Sequence, residues 1–254
     1  MLRVVINGAL GRMGGEAARA IEETDDIELA GAVDIPGHPG IGREIFGVAV
    51  GSDLAAALAG ADAAVDFTNP DSAVAFIDTC AGAGVPAITG TTGLQKTHLD
   101  AAAKAAMKIP VIVSPNMSAG VNLLFSVAET VAKALHDFDV EIVEIHHNRK
   151  KDSPSGTAAK LARVISEARG GLRVVHGREG MIGERPEGEI GMHSLRGGDV
   201  TGEHTVVFAG QGERIELTHR AHSRRTFAMG TVRAIRFIAG VPAGLYTMED
   251  VLGL

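Results

Sequence analysis

The chain has 254 residues, enough for one large domain or for two modest ones that each bury a core. With 45% hydrophobic and 22% charged residues and a net charge of −7, its composition is globular and lacks the basic footprint of a nucleic-acid binder. A single cysteine, Cys80, excludes a disulfide within the chain, and no uninterrupted apolar run of about 18 residues exists to span a bilayer.

Met1 leads straight into the strand-like LRVVI, without a basic segment followed by a long apolar one. No signal peptide is therefore expected, and a soluble, cytoplasmic protein is the default. Leu2 to Ile6 reads as a short apolar strand, followed by Gly8, Gly11 and Gly14 and a helix through about Glu22 with Met13, Ala17 and Ile21 inward. Strand, glycines, then helix is the context a dinucleotide fingerprint requires, because glycines let the backbone approach a pyrophosphate at a helix start. The spacing Gly8-Ala9-Leu10-Gly11 departs from the common G-x-G-x-x-G, and a glycine turn that merely packs strand on helix is the competing reading. Ile27 to Val33 is the second strand and Asp34 ends it, about where an acidic residue accepts hydrogen bonds from the ribose of NAD.

A Gly-Pro loop follows over 35–42, then a short helix near Leu54 and a third strand, Ala63 to Phe67. Asn69 caps a helix that starts at Pro70. Pro86 to Thr89 is a fourth strand that runs into Gly90-Thr91-Thr92-Gly93, and Ile109 to Val113 is another, followed by Ser114-Pro115-Asn116-Met117. Strands alternating with helices predict a Rossmann-like parallel sheet, with ligands held past the carboxyl ends of its strands, where Gly8, Asp34, Thr68 and Gly90 lie.

Ser118 to His136 is a long amphipathic helix that core packing explains. The densest stretch comes next: EIVEIHHNRKKDSPSGTA, Glu141 to Ala158. Val140 to Ile145 reads as a strand ending at His146 and His147, which face opposite sides if the pleat continues. Pro154 is read in the first turn of a helix that continues through Ala158, Leu161, Ala162 and Ile165 and stops at Gly170-Gly171. Each feature alone has an ordinary explanation: a structural histidine, a solvated charge run, a helix cap. Together they describe an anion-holding helix start beside a proton donor. Residues 172–199 read as strand plus loop, and Glu203 to Phe208 with Arg214 to Arg220 as a hairpin around Gly210-Gln211-Gly212. His204, His219 and His222 lie on or near those strands and are expected to face solvent. Met229 to Ala239 is a further helix and Thr247 to Leu252 a terminal turn.

The run E-I-V-E-I-H-H-x-x-x-K-x-D-x-P-S-G-T-A resembles the signature of the 4-hydroxy-tetrahydrodipicolinate reductase (dihydrodipicolinate reductase) family of the diaminopimelate and lysine pathway. GRMG, GTTG and PNMS strengthen the match, which covers nearly the whole chain and is thinnest near 35–55 and 172–195. The resemblance implies two domains: a dinucleotide-binding one over 1–117 and 228–254, and over 118–227 an α+β domain with a mixed sheet for substrate binding and oligomerisation. It implies reduction of a cyclic dicarboxylate by NADH or NADPH, a homotetramer, and no metal. Residue by residue, His146 falls on the family's general acid and Lys150 on the lysine that pairs a substrate carboxylate. Gly156 and Thr157 fall on the donors to the other carboxylate, with His147 a further substrate contact. Gly8, Gly11, Arg12, Met13, Gly90, Thr91, Thr92, Ser114, Pro115, Asn116 and Met117 fall on cofactor positions. Ile35 and Pro36 after Asp34 offer no side-chain donor to a 2′-phosphate, so the expected tilt is towards NADH, with Arg43 and Arg12 as the cations that could favour NADPH. Two other readings compete. One is a nucleotide-sensing protein that lost catalysis, which would need neither His146 nor Lys150. The other is a semialdehyde or quinone reductase, whose thiol-dependent form is disfavoured by Cys80 in a predicted helix.

Overall fold

A computed structural model describes residues 1–254. In chain order the elements are β1 (Leu2–Asn7), α1 (Arg12–Glu22), β2 (Ile27–Val33), β3 (Glu44–Ile45), β4 (Val48–Gly51), α2 (Leu54–Ala57), β5 (Ala63–Asp66), α3 (Pro70–Ala83), β6 (Ala87–Thr89), α4 (Lys96–Ala105) and β7 (Pro110–Val113). They continue as α5 (Ala119–Ala134), β8 (Asp139–His146), α6 (Gly156–Ala168), β9 (Arg173–His176), β10 (Glu189–Arg196), β11 (Gly202–Ala209), β12 (Arg214–Ala221), α7 (Arg225–Ile238), β13 (Gly244–Tyr246) and α8 (Met248–Leu252). The chain divides into two compact units, Met1–Ala119 with Arg224–Leu254, and Gly120–Ser223.

The first unit is Rossmann-like, with strand order β13-β7-β6-β5-β1-β2-β4-β3. Its neighbours pair in parallel except for the β3–β4 ribbon at one edge. The chain leaves β1 for β2 on one side and later returns to β5 on the other, so a crevice opens at the carboxyl ends beside β1. Strand alternation divides the core between the two faces: Val4 and Ile6 pack with Ile21 of α1 and Val232 and Ile235 of α7. Val5, Ala64 and Val111 pack on the other side with Phe76, Ile77 and Cys80 of α3. Each fully buried Val, Ile or Phe side chain among these contributes about 1.5–3 kcal/mol. Asn69 caps α3 through its side chain, which accepts the Ser72 N–H, with Pro70 at the first helical position.

The strand read over Ala63 to Phe67 is the fifth, because the two-residue β3 and the four-residue β4 precede it in a stretch with no periodic signal. The helix expected from Met229 begins earlier, at Arg225, and the three-residue β13 extends the sheet past β7.

The second unit has a mixed sheet, β12-β11-β8-β10-β9. β8, β10 and β9 run parallel, while β11 and β12 are antiparallel to their neighbours. Val140, Ile142, Ile190, Met192, Val206 and Phe208 form one face, buried against Leu124 and Phe125 of α5 and Leu161 and Ile165 of α6. Arg169, just past α6, donates to the carbonyls of Ala132, Leu135 and Phe138, satisfying the acceptors that the end of α5 leaves open. On the opposite face, Glu141 of β8 accepts from Arg178, Arg185 and His193. One helix start differs from expectation. Pro154 lies outside α6, and Ser155 is the cap, its Oγ accepting the Ala158 N–H at 3.2 Å.

Candidate active site

In the first unit the turn after β1 is shaped by what it excludes. Gly8 has φ +79°, and a Cβ there would lie 2.8 Å from the Phe67 carbonyl oxygen. A Cβ on Gly14 would lie 2.1 Å from the Gly8 carbonyl oxygen, so α1 can approach β1 this closely only with glycine at that position. Gly11 is the cap residue of α1 and makes no side-chain cap, which leaves backbone N–H groups facing outward at a positive dipole end. Arg12 is exposed and Met13 half-buried beside it. Asp34 braces the turn: its Oδ2 accepts the Leu10 N–H at 2.8 Å and its Oδ1 the Ile35 N–H at 2.8 Å. Arg43 is exposed just before β3.

The Gly90 loop is organised by Asp66, a residue the sequence did not single out. Asp66 is fully buried at the end of β5 and accepts from Asn7, Thr68, Thr89 and Thr91. The Thr91 hydroxyl thus faces inward and also accepts the Thr68 N–H at 3.0 Å, whereas Thr92 is exposed. Gly90 lies against the Phe67 ring, 2.2 Å from where its Cβ would be. Further on, Ser114 Oγ donates to the Asn116 carbonyl, Asn116 Oδ1 accepts the Ser118 N–H, and Pro115 is exposed. The Met117 side chain belongs to the core of this unit.

The second unit concentrates its chemistry at the carboxyl end of β8. Period-two alternation places Glu144 and His146 on the same, helix-covered face, and both are buried. Glu144 Oε2 lies 2.5 Å from His146 Nδ1, and Arg196 at the end of β10 grips both Glu144 oxygens at 2.9 Å. The Ser155 N–H at the start of α6 donates to Glu144 Oε1 at 3.1 Å. Burial alone would raise the Glu144 carboxyl, but hydrogen bonds from Arg196, His146, Ser194 and Ser155 outweigh it and hold it at about 2. His146 is shifted the other way. Burial lowers its pKa, the Glu144 bond and charge pull it up, and Lys150 and Arg196 push it down, with a net lowering.

Lys150 Nζ pairs with Asp152 Oδ1 at 2.9 Å, and Arg196 also donates to the Asp152 carbonyl. His147 departs from the strand: its N–H donates to the Val200 carbonyl, and its Nδ1 is buried without a partner. Gly156 and Thr157 are the first two residues of α6, so their backbone lies at its N-terminus. His204 does not face solvent as expected. It is 3% exposed, its ring meets His146 edge-on with centroids 5.2 Å apart, and its Nε2 lies 3.0 Å from Ser155 Oγ. The reason is topological: β11 lies between β8 and β12, so its alternate row of Gly202, His204, Val206 and Phe208 turns to the helices. Burial, then the nearby His146, drives the His204 imidazolium down to about 3, so His204 is neutral. His219 is half-buried on β12 and His222 is exposed.

Two family descriptions match this chain: dihydrodipicolinate reductase, N-terminus, over residues 2–117, and dihydrodipicolinate reductase, C-terminus, over residues 120–252. A 4-hydroxy-tetrahydrodipicolinate reductase from an Anaeromyxobacter species is 52% identical, covering 100% of this chain and 98% of the relative. One of the same name from Citrifermentans bemidjiense is 46% identical over 100% of both chains. Among solved structures, a dipicolinate-bound dihydrodipicolinate reductase from Paenisporosarcina superposes with a TM-score of 0.84 at 28% identity over 98% of each chain.

Proposed function

This chain belongs to the dihydrodipicolinate reductase family, and we propose on that premise that it reduces 4-hydroxy-tetrahydrodipicolinate to tetrahydrodipicolinate with a nicotinamide dinucleotide. The substrate loses its hydroxyl as water and gains one hydride and one proton. The observation that carries the assignment of roles is the buried His146, held by Glu144 at a strand end next to Lys150 and the start of α6.

The residues of the first unit fit a dinucleotide. A Cβ at Gly8 or Gly14 would collide with the Phe67 or Gly8 carbonyl, so glycine is what lets the turn pack this tightly, and the uncapped start of α1 offers N–H donors to a pyrophosphate. Gly8, Gly11, Arg12 and Met13 belong to this cradle, with Thr92 and the 114–117 segment completing it. Asp34 is the ribose partner, and its charge repels a 2′-phosphate, which supports a preference for NADH over NADPH. When bound, the nicotinamide supplies the hydride.

In the second unit His146 hands a proton to the enamine that hydride addition leaves behind. Histidine suits this step because it titrates close to neutrality. Lys150 holds one substrate carboxylate, and the N–H groups of Gly156 and Thr157 hold the other at the positive end of α6, with His147 as a further contact. Fixed cations and N–H groups keep their charge while His146 changes its own. The chain acts in the cytoplasm as a homotetramer built through the mixed sheet, where Leu195 of β10 is 45% exposed; sedimentation of the purified protein tests that assembly.

The direct assay mixes the purified protein with the product of dihydrodipicolinate synthase and NADH and follows nicotinamide absorbance. A fall that requires both enzymes is the expected result. No fall with either NADH or NADPH overturns the reading.

A further inference from the structure

Glu144 lies closer to the reacting groups than any role so far requires. It is a charged side chain with 0% exposure, and burying a carboxylate is costly unless its partners compensate. Its donors do so: two Arg196 guanidinium nitrogens, the Ser155 N–H, the Ser194 side chain and His146 Nδ1. Arg196, Ser155 and Ser194 hold the carboxylate in place, which leaves it aimed at His146. A carboxylate at pKa about 2 can only accept, so Nδ1 must be the protonated nitrogen of the ring. His146 Nε2 has no hydrogen-bond partner in the chain and faces Gly202 at the start of β11, where a Cβ would lie 2.9 Å from it.

We propose that Glu144, gripped by Arg196 and the start of α6, is the positioning residue that holds His146 in its Nδ1–H form and directs proton donation through Nε2. This rests on His146 being the proton donor. The Arg196 fork also binds the Asp152 carbonyl, in the loop whose Lys150 pairs Asp152. Arg196 therefore ties the lysine's loop and the histidine's orienting carboxylate into one unit, although it lies on a different strand.

The charged and titratable groups acting on His146 are Glu144 on β8, Lys150 on the loop after it, Arg196 on β10 and His204 on β11, with Asp152 paired to Lys150 and His219 behind His204 on β12. Glu144 is the anion in direct contact with the ring. Replacing it with glutamine leaves the imidazolium between two cations, so the form able to donate a proton survives only at lower pH.

The test compares Glu144→Gln with Glu144→Asp, and with Glu141→Gln as a control for a carboxylate of similar ion pairing on the opposite face of the same strand. Glu144→Gln is expected to lower kcat about 10- to 100-fold with KM little changed, and to move the alkaline limb of kcat/KM towards acid. Glu144→Asp keeps the charge and is expected to restore part of the limb's position, while Glu141→Gln leaves it where it is in the wild type. A limb unmoved in Glu144→Gln overturns the proposal. Nitrogen-15 spectra of the wild-type histidines decide the matter independently of any variant's folding: neutral His146 must be protonated on Nδ1, and protonation on Nε2 overturns the proposal. His146→Gln, measured in parallel, separates the two layers. If that variant keeps its turnover, the proton-donor reading fails; if it loses turnover while Glu144→Gln does not, only the role of Glu144 fails.

Discussion

Around Gly8 the candidate surface is backbone: two glycines that admit no Cβ, a helix start without a side-chain cap, and a carboxylate occupied with the N–H groups of Leu10 and Ile35. Around His146 it is side chain: Glu144, Arg196, Lys150, Asp152 and His204, drawn from three strands and a loop. A rigid, largely uncharged cradle suits a cofactor that must be bound and released unchanged in shape. A dense set of ionisable groups suits a step in which a proton moves, because each neighbour tunes when it moves.

That contrast is most exposed to attack at His146. His146→Gln is expected to lower kcat by about 10²- to 10⁴-fold with a modest change in KM, the range for loss of a general acid. Steady-state rates near those of the wild type would remove the side-chain region from the chemistry. Next in size is Lys150→Ala, which is expected to weaken substrate binding by about 10- to 150-fold, the worth of a charge-assisted hydrogen bond. NADH affinity, titrated by fluorescence without substrate, should stay put; an equal loss there would merge the two regions into one.

A third effect concerns stability. His204 is held neutral at about 3, whereas an unfolded histidine titrates near 6.5, so below that value the unfolded chain binds the extra proton. The contribution of His204 is therefore complete above about pH 6.5 and is lost as pH falls towards 3, by about 1.4 kcal/mol per unit within that window. Melting curves at pH 7 and pH 5 should show a smaller acid-induced drop for His204→Gln than for the wild type. Equal drops would mean that His204 is not the buried neutral group.

The smallest effect lies on the backbone side. Asp34→Ala removes the proposed ribose acceptor and one brace of the turn, and is expected to cut kcat/KM with NADH by about 2- to 10-fold while moving the NADH-to-NADPH ratio towards NADPH. A wild-type enzyme that clearly prefers NADPH would point to Arg43 or Arg12 as the phosphate partner.

The same contrast explains what could be read from the sequence. Backbone requirements write themselves locally: glycine spacing after an apolar strand announced the turn, and Asn69-Pro70 announced a helix start. The strand carrying His146 and the helix after it were legible from their period. Glu144 could have been found, since residues two apart on a strand share a face. Arg196 could not: it meets Glu144 because β10 pairs in parallel with β8 and sets Arg196 beside His146, a register that no local pattern encodes. His204 was misjudged because a hairpin shows that two strands pair but not which third strand they join. β3 and β13 are too short to show any period.

The split of the first unit across the chain has a consequence for synthesis. Gly120–Ser223 leaves the ribosome whole, while the unit begun at Met1 still lacks Arg224–Leu254. Until those residues arrive, Val4, Ile6 and Ile21 have no Val232, Ile235 or Ile238 to pack against, and β7 offers an open edge where β13 will pair. Of the two units, the one that begins earlier is thus completed later. During that interval the nascent chain carries a sticky sheet edge and a half-covered core, so shortening the C-terminus would strike the opening residues of the chain before it touched the middle.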